Sequence, residues 1–139
     1  MLHDSLTWLA QFLFGAWLGW CLWNVLELLV APFLVDGPCT NGLWIRVPAR
    51  VRAALDADEL AAVLAHEMGH IARWHVPANL VRRCFLVSDT LERRRQQELE
   101  ADDYAVAHGH GAALARVLKR FGRTPFDRAR ARRLLGIVR

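Results

Sequence analysis

Residues 56–75 read DADELAAVLAHEMGHIARWH, and this stretch decides how the chain around it is read. Asp56, with Glu59 three residues on, is a capping-box-like helix start in which Asp stands in for Ser or Thr. Leu60, Val63, Leu64, Met68 and Ile71 then recur at helical spacing. The pattern predicts a helix from about Ala57 to about His75, with Pro77 just beyond. Residues four apart on a helix share a face one turn apart, so His66 and His70 can aim both imidazoles at one ion. Glu67 stands beside the first of them. Chemistry needs these residue types at this spacing for a stated reason. Two neutral imidazoles hold zinc, and a carboxylate takes a proton from a water that the metal activates. His66 and His70 are therefore expected zinc ligands, for one Zn2+ per chain, and Glu67 the expected catalytic general base.

A catalytic zinc usually has three protein ligands and one open position. No third His follows at the metzincin distance. His75 lies five residues after His70, about 140° further round a continuous helix. It reads as a C-terminal His interacting with the helix dipole. Carboxylates are the better source of a ligand, and Gln97-Glu98-Leu99-Glu100-Ala101-Asp102-Asp103 offers several. Glu98 and Asp102 are four apart and share a face. Glu98 can bind the metal while Asp102 orients a ligand His from behind. Glu100 then points elsewhere. The plain alternative is a solvated acidic face paired with Arg93, Arg94 and Arg95.

Together the two motifs resemble the gluzincin peptidases of the HtpX and CAAX-prenyl-protease type. There a His-Glu-x-x-His helix is followed by a second helix bearing Glu-x-x-Ala-Asp, matched here by Glu98-Leu99-Glu100-Ala101-Asp102. The resemblance implies that Glu98 is the third zinc ligand and Asp102 the acid behind the ligands. Leu60-Ala61-Ala62-Val63-Leu64-Ala65 is similar to the family's helix lead-in. Thr124-Pro125-Phe126-Asp127-Arg128-Ala129-Arg130 is similar to a weaker signature preceding the last helix. The likeness covers about residues 43–135. The peptidase domain of the beta-lactam sensor-transducers is also similar, through a double Asp like Asp102-Asp103. Larger members carry several membrane helices and longer insertions, where this chain has 27 residues between His70 and Glu98.

Toward the N-terminus, Leu6 to Val35 is almost continuously apolar, interrupted by Thr7, Gln11, Asn24 and Glu27, with Pro32 near its end. Leu6 to Leu26 is 21 residues without a formal charge. At about 1.5 Å per residue that length crosses a hydrocarbon core of about 30 Å. Trp8 lies near one end and Trp20 and Trp23 near the other, as rings do at the two interfaces. Trp17 is deeper and does not fit that belt. A cleaved signal peptide fits less well, because no cationic segment precedes the run and no clear small-x-small site follows. The other reading is a buried core helix. Arg46, Arg50 and Arg52 follow the span, so a single-pass membrane protein with a cytoplasmic catalytic domain is expected. Gly15 and Gly19 form a small-x-x-x-small pair through which two such helices could approach, so a homo-oligomer is one partner the sequence allows.

Residues 36–42 are rich in turn formers and read as a linker. Leu43-Trp44-Ile45-Arg46-Val47 alternates like a half-buried strand and stops at Pro48. An extended substrate could add to such a strand beside the metal. Further helices are expected over about Pro77–Val87, from a cap at Ser88 or Asp89 to near Gly109, over Gly111–Phe121, and from about Phe126 to Leu135. His-Gly-His at residues 108–110 reads as a turn, and Tyr104 as a packing residue. Beyond residue 40 the chain holds all 18 Lys and Arg, 17 of them Arg, against 11 acids. No nucleic-acid motif accompanies that charge, so a specific nucleic-acid partner is not expected. Cys21, Cys39 and Cys84 match neither a zinc module nor a disulfide framework.

The expected fold is mainly α. It is a zincin-like minimal metallopeptidase domain with one short strand over residues 43–139, preceded by a transmembrane or buried apolar helix in residues 1–35. The expected activity is a zinc-dependent endopeptidase acting on a peptide or protein substrate. The alternatives are a non-catalytic, membrane-bound zinc-binding protein kept for regulation or interaction, and a soluble peptidase whose N-terminal segment binds a partner.

Overall fold

The computed structural model describes the backbone of residues 2–137 and the side chains of residues 5–137. In chain order the elements are α1 (Leu2–Leu34), β1 (Cys39–Thr40), β2 (Ile45–Arg46), α2 (Ala49–Ala54), α3 (Ala57–Ala72), α4 (His75–Cys84), α5 (Leu91–Ala107), α6 (Gly111–Phe121) and α7 (Pro125–Ile137). The fold is mainly α, with a single antiparallel two-stranded sheet among the described residues, Cys39 opposite Arg46 and Thr40 opposite Ile45.

Helix α3 starts where its cap predicts. The Asp56 side chain accepts from Glu59 N–H at 2.8 Å, and Asp56 N–H donates to Glu59 Oε2 at 3.1 Å. Glu59 is buried, and its Oε2 also receives Arg120 from α6 at 2.8 Å. One side chain thus starts a helix and fixes it to a neighbour. Helix α7 begins similarly. Asp127 N–H donates to Thr124 Oγ1, while Asp127 Oδ2 accepts from Thr124 N–H, and Pro125 takes the first helical position.

The core lies among α3, α5, α6 and α7. It is built of small residues (Ala62, Ala105, Ala113, Ala115) around Leu114 and Leu134. Small side chains let helix axes approach closely. The limit is reached at Gly69, where an added Cβ would sit 2.8 Å from Ala101 Cα and 3.0 Å from Tyr104 Cβ. That clash is with the α5 backbone, so α3 and α5 can be this close only with glycine at position 69.

Several sequence-based expectations change. Helix α3 ends at Ala72, not His75, because Trp74 turns left-handed at φ 57° and His75 opens α4. Helix α4 stops at Cys84, short of Val87, and Thr90 rather than Ser88 or Asp89 caps α5 by accepting from Arg93 N–H. The expected strand shrinks to Ile45–Arg46, and its partner β1 comes from the stretch read as linker. Helix α2 was not anticipated; Pro48 ends the strand and starts this helix at once.

Helix α1 is apolar and largely exposed, with Trp8, Phe12 and Leu34 open to the surroundings. Its second half docks on the rest of the chain. Trp17 and Trp20 donate their indole N–H groups to Cys84 O (3.0 Å) and Arg83 O (2.9 Å), the last carbonyls of α4. Those carbonyls have no partner inside their own helix. This docking accounts for Trp17, which the interfacial belt did not. Arg46 bonds to Pro32 O and to Val35 O (3.1 Å), and Arg50 pairs with Asp36 at 2.7 Å.

Candidate metal centre

Helix α3 presents His66 and His70 one turn apart, and α5 presents Glu98 to them across the Gly69 contact. His66 Nε2 lies 3.3 Å from His70 Nε2. Glu98 Oε2 lies 3.5 Å from His66 Nε2, and Glu98 Oε1 lies 3.5 Å from His70 Nε2. Donor atoms about 2.0–2.1 Å from a tetrahedral zinc stand about 3.3–3.4 Å from one another. Glu98 faces the two histidines through different oxygens, and one ligand atom from each of the three residues lies within 4.8 Å of the others, so the three can converge on one zinc ion. The donor set, two imidazoles and one carboxylate, is one that zinc takes in sites with an open position.

Behind each histidine a polar side chain lies close to its Nδ1. Asp102 Oδ1 is 3.0 Å from His66 Nδ1. Asp102 is fully buried and is gripped at both oxygens by Arg130 of α7, Nε at 2.8 Å and Nη2 at 2.6 Å. Burial opposes a charge on Asp102, but the Arg130 and His66 hydrogen bonds outweigh it and hold the carboxyl below its ordinary value. Arg130 Nη1 also reaches Glu98 Oε2 at 2.7 Å. One buried guanidinium therefore holds the candidate ligand carboxylate and the acid behind the other ligand.

His70 is held differently. Its Nδ1 lies 2.9 Å from His75 Nδ1, and His75 Nε2 lies 2.9 Å from Glu100 Oε2. A metal on His70 Nε2 leaves the proton on Nδ1, which donates to His75 Nδ1. His75 then carries its own proton on Nε2 and donates to Glu100. This is the one assignment of ring protons that satisfies both contacts and keeps Nε2 free for a metal. Gln96 steadies Glu100 at 2.9 Å, and the Gln96 and His75 hydrogen bonds lower the Glu100 carboxyl.

Charge in the site is unevenly placed. Burial works against a proton on His66, yet Asp102 and Glu98 push its pKa up to about 9. Burial and the nearby His66 charge push His70 down to about 4. Glu67 is buried, and burial raises its carboxyl to about 7. Beside these residues runs a cleft of about 390 Å³. His70 and Glu98, Thr40 of β1, and Asn24 and Leu28 of α1 are among the residues that line it.

The structure thus brings His66, His70, Glu98 and Asp102 together, with Glu67 on the same helix turn. Glu100 turns away from the triangle, as expected, and serves His75. The reading of His75 as a remote helix-end residue is corrected: the left-handed turn at Trp74 swings it back onto His70. Glu98, Asp102 and Asp103 of α5 pair with Arg130 and Arg133 of α7, and not with Arg93–Arg95. Sequence reasoning missed Arg130. Among 17 arginines, nothing in its spacing marked it; its one signal was its place at the end of the Thr124–Arg130 stretch. Tyr104 stacks on His108, ring centres 4.1 Å apart, in keeping with a packing role.

Residues 37–88 match the family model described as Peptidase family M48. No curated protein and no solved structure matches the chain. The matched segment runs from the hairpin through α3 and α4, and supports a metallopeptidase. It contains His66, Glu67, His70 and His75 but stops before Glu98, so α5 and α7 enter the site on geometry alone.

Proposed function

We propose that this protein is a zinc-dependent endopeptidase of the HtpX and CAAX-prenyl-protease type, anchored to a membrane by α1, with its catalytic domain on the cytoplasmic side. The observation that carries the reading is the cluster of His66, His70 and Glu98 donor atoms, close enough together to share one zinc ion. Zinc bound there supplies a Lewis acid that polarises the scissile carbonyl and makes water acidic enough to give up a proton near neutral pH.

The chain's own residues supply the rest. Asp102 and His75 hold the two imidazoles with Nε2 facing inward. Glu67 takes the proton of the attacking water at its carboxylate and hands it to the leaving amine. A carboxyl raised to about 7 by burial suits a group that must accept and return a proton near neutrality, while the charge of bound zinc draws it downward. Arg130 keeps Glu98 and Asp102 ionised and in place. The cleft between α1 and α4 receives an extended segment of the substrate, with β1 at its border.

The test compares wild type with Glu67→Gln for zinc content and for cleavage of an unfolded protein. One zinc per chain in both, with cleavage lost in the variant by about a hundredfold or more, is the expected result. Equal cleavage by the two proteins would sink the catalytic reading. Zinc without cleavage in wild type would favour a non-catalytic, zinc-holding protein. Zinc content unchanged by His66→Ala would sink both.

A further inference from the structure

The loop that follows α4 shows an apolar tip. Phe85, Leu86 and Val87 are 65 %, 75 % and 44 % exposed. Leu86 holds a left-handed backbone at φ 57°, a costly conformation for a branched side chain. Their backbone N–H groups are all used: Phe85 on Val81 O and Arg82 O, Leu86 on Arg83 O, and Val87 on Arg82 O at 2.9 Å. The carbonyls of Arg83 and Cys84 accept from Trp20 and Trp17 of α1. A segment can enter hydrocarbon only if its backbone groups find partners within the protein. The N–H groups of this loop meet that demand, and α1, the helix that would itself lie in the membrane, caps the last carbonyls of α4 from which the loop springs.

Position along α1 makes the point quantitative. The charged residues Asp4 and Glu27 bound the apolar run, and Trp17 lies between them. Trp17 touches the loop, its ring centre 5.9 Å from that of Phe85. From Asp4 to Trp17 the helix rises only about 20 Å, short of the roughly 30 Å of a hydrocarbon core. A bilayer crossed by α1 must therefore extend past Trp17, and it meets Phe85 and Leu86 there. About 15 Å further along α1, Glu27 pairs with Arg83 at 3.4 Å, both half exposed, at the level suited to lipid headgroups. Arg82 bonds back to Ser88 O at 3.1 Å and to Asp89, closing the base of the loop with polar groups.

We propose that the Phe85–Val87 loop is a second membrane element, inserted into the leaflet beside α1 and held there by the Trp17 and Trp20 hydrogen bonds. The occupant of this apolar surface is lipid. The proteolytic domain is then fastened to the bilayer at two points, with the α1–α4 cleft opening at the headgroup level. The substrates that fit are chain segments lying at or emerging from the membrane surface. The proposal rests on the reading of α1 as a membrane span, which the experiment tests separately.

The 139-residue chain, with Cys21, Cys39 and Cys84 replaced by Ala, is spin-labelled at Leu86→Cys or at Leu13→Cys. It is reconstituted in vesicles of phosphatidylcholine and phosphatidylglycerol. Collisions with oxygen, which partitions into lipid, are compared with collisions with a water-soluble nickel chelate. Oxygen-dominated relaxation at both positions is expected. Nickel access at position 86 with oxygen access at 13 overturns the loop insertion while leaving the span. Nickel access at both removes the span and the proposal with it. Access by neither reagent at 86 means a protein covers the loop, which also overturns it. A chain with native cysteines and a benzophenone amino acid at Leu86 gives an independent reading. Photoadducts to lipid tails are expected; adducts to protein alone, or none to lipid, overturn the proposal.

Discussion

Arg130 is the residue on which the site's charge balance turns. Its guanidinium is buried and satisfies both Asp102 oxygens and one of Glu98. Removing one partner of a buried pair leaves a bare charge and costs about 3–5 kcal/mol. Arg130→Met is expected to lose that much stability, read from denaturant unfolding, and to bind zinc more weakly than wild type at equal folded fraction. His75→Ala and Glu100→Gln act on the other histidine. Each releases the His70 ring, and loss of such a supporting partner lowers metal affinity about 10- to 100-fold. A competition titration against a zinc chelator measures this; unchanged affinity in His75→Ala would remove His75 from the site. Proton release gives a further check. In the metal-free protein His66 titrates near 9, so at pH 7 it carries a proton that zinc must displace. Zinc uptake at pH 7 should release about one proton, with a further fraction from Glu67, and apparent affinity should rise with pH until about 9. Calorimetry in buffers of different protonation enthalpy counts those protons, and none released at pH 7 would contradict the assignment.

At the scale of elements, the contact between α3 and α5 is what makes two motifs into one site. Gly69→Ala would drive a methyl into the Ala101 backbone, and forced overpacking of this kind costs about 1–3 kcal/mol. Because α5 carries Glu98, the same substitution should weaken zinc binding although it touches no ligand; a variant that is destabilised yet keeps full affinity would show that the helices move apart without disturbing the triangle. The α3 cap, its motif and the partner acid Glu98 were legible because they obey local rules: capping chemistry, a spacing of four, carboxylates one turn apart. The break at Trp74 was not legible, since no local preference predicts an aromatic residue in a left-handed turn. His75 was misread for that reason alone. The hairpin was half legible: Ile45 and Arg46 alternate as a strand should, while Cys39 and Thr40 sit among turn formers and become a strand only by pairing.

Across the whole molecule, the N-terminal helix was legible by length and apolarity, but its docking was not. Trp20 looks interfacial in the sequence and Trp17 does not, and only the folded chain shows their N–H groups closing the end of α4. Arg130 was illegible for a similar reason, since its partners lie 28 and 32 residues earlier in the chain. Trp17→Phe with Trp20→Phe should leave the zinc triangle intact while freeing two carbonyls. Faster hydrogen exchange at the α4–α5 loop, with zinc content unchanged, is the expected result; unchanged protection would show the indole bonds to be incidental. Orientation is tested by a reporter fused after α7, expected to be active only on the cytoplasmic side. The order of parts along the chain also sets an order in time. Ribosomes deliver α1 first, the histidine helix next, Glu98 and Asp102 later, and Arg130 after all of them, at about 5–20 residues each second. Until Arg130 arrives, two carboxylates near the histidines lack their counter-charge. The apolar helix thus has several seconds' lead over a finished metal site; on the proposed function, a nascent chain would reach its bilayer before it could cut anything.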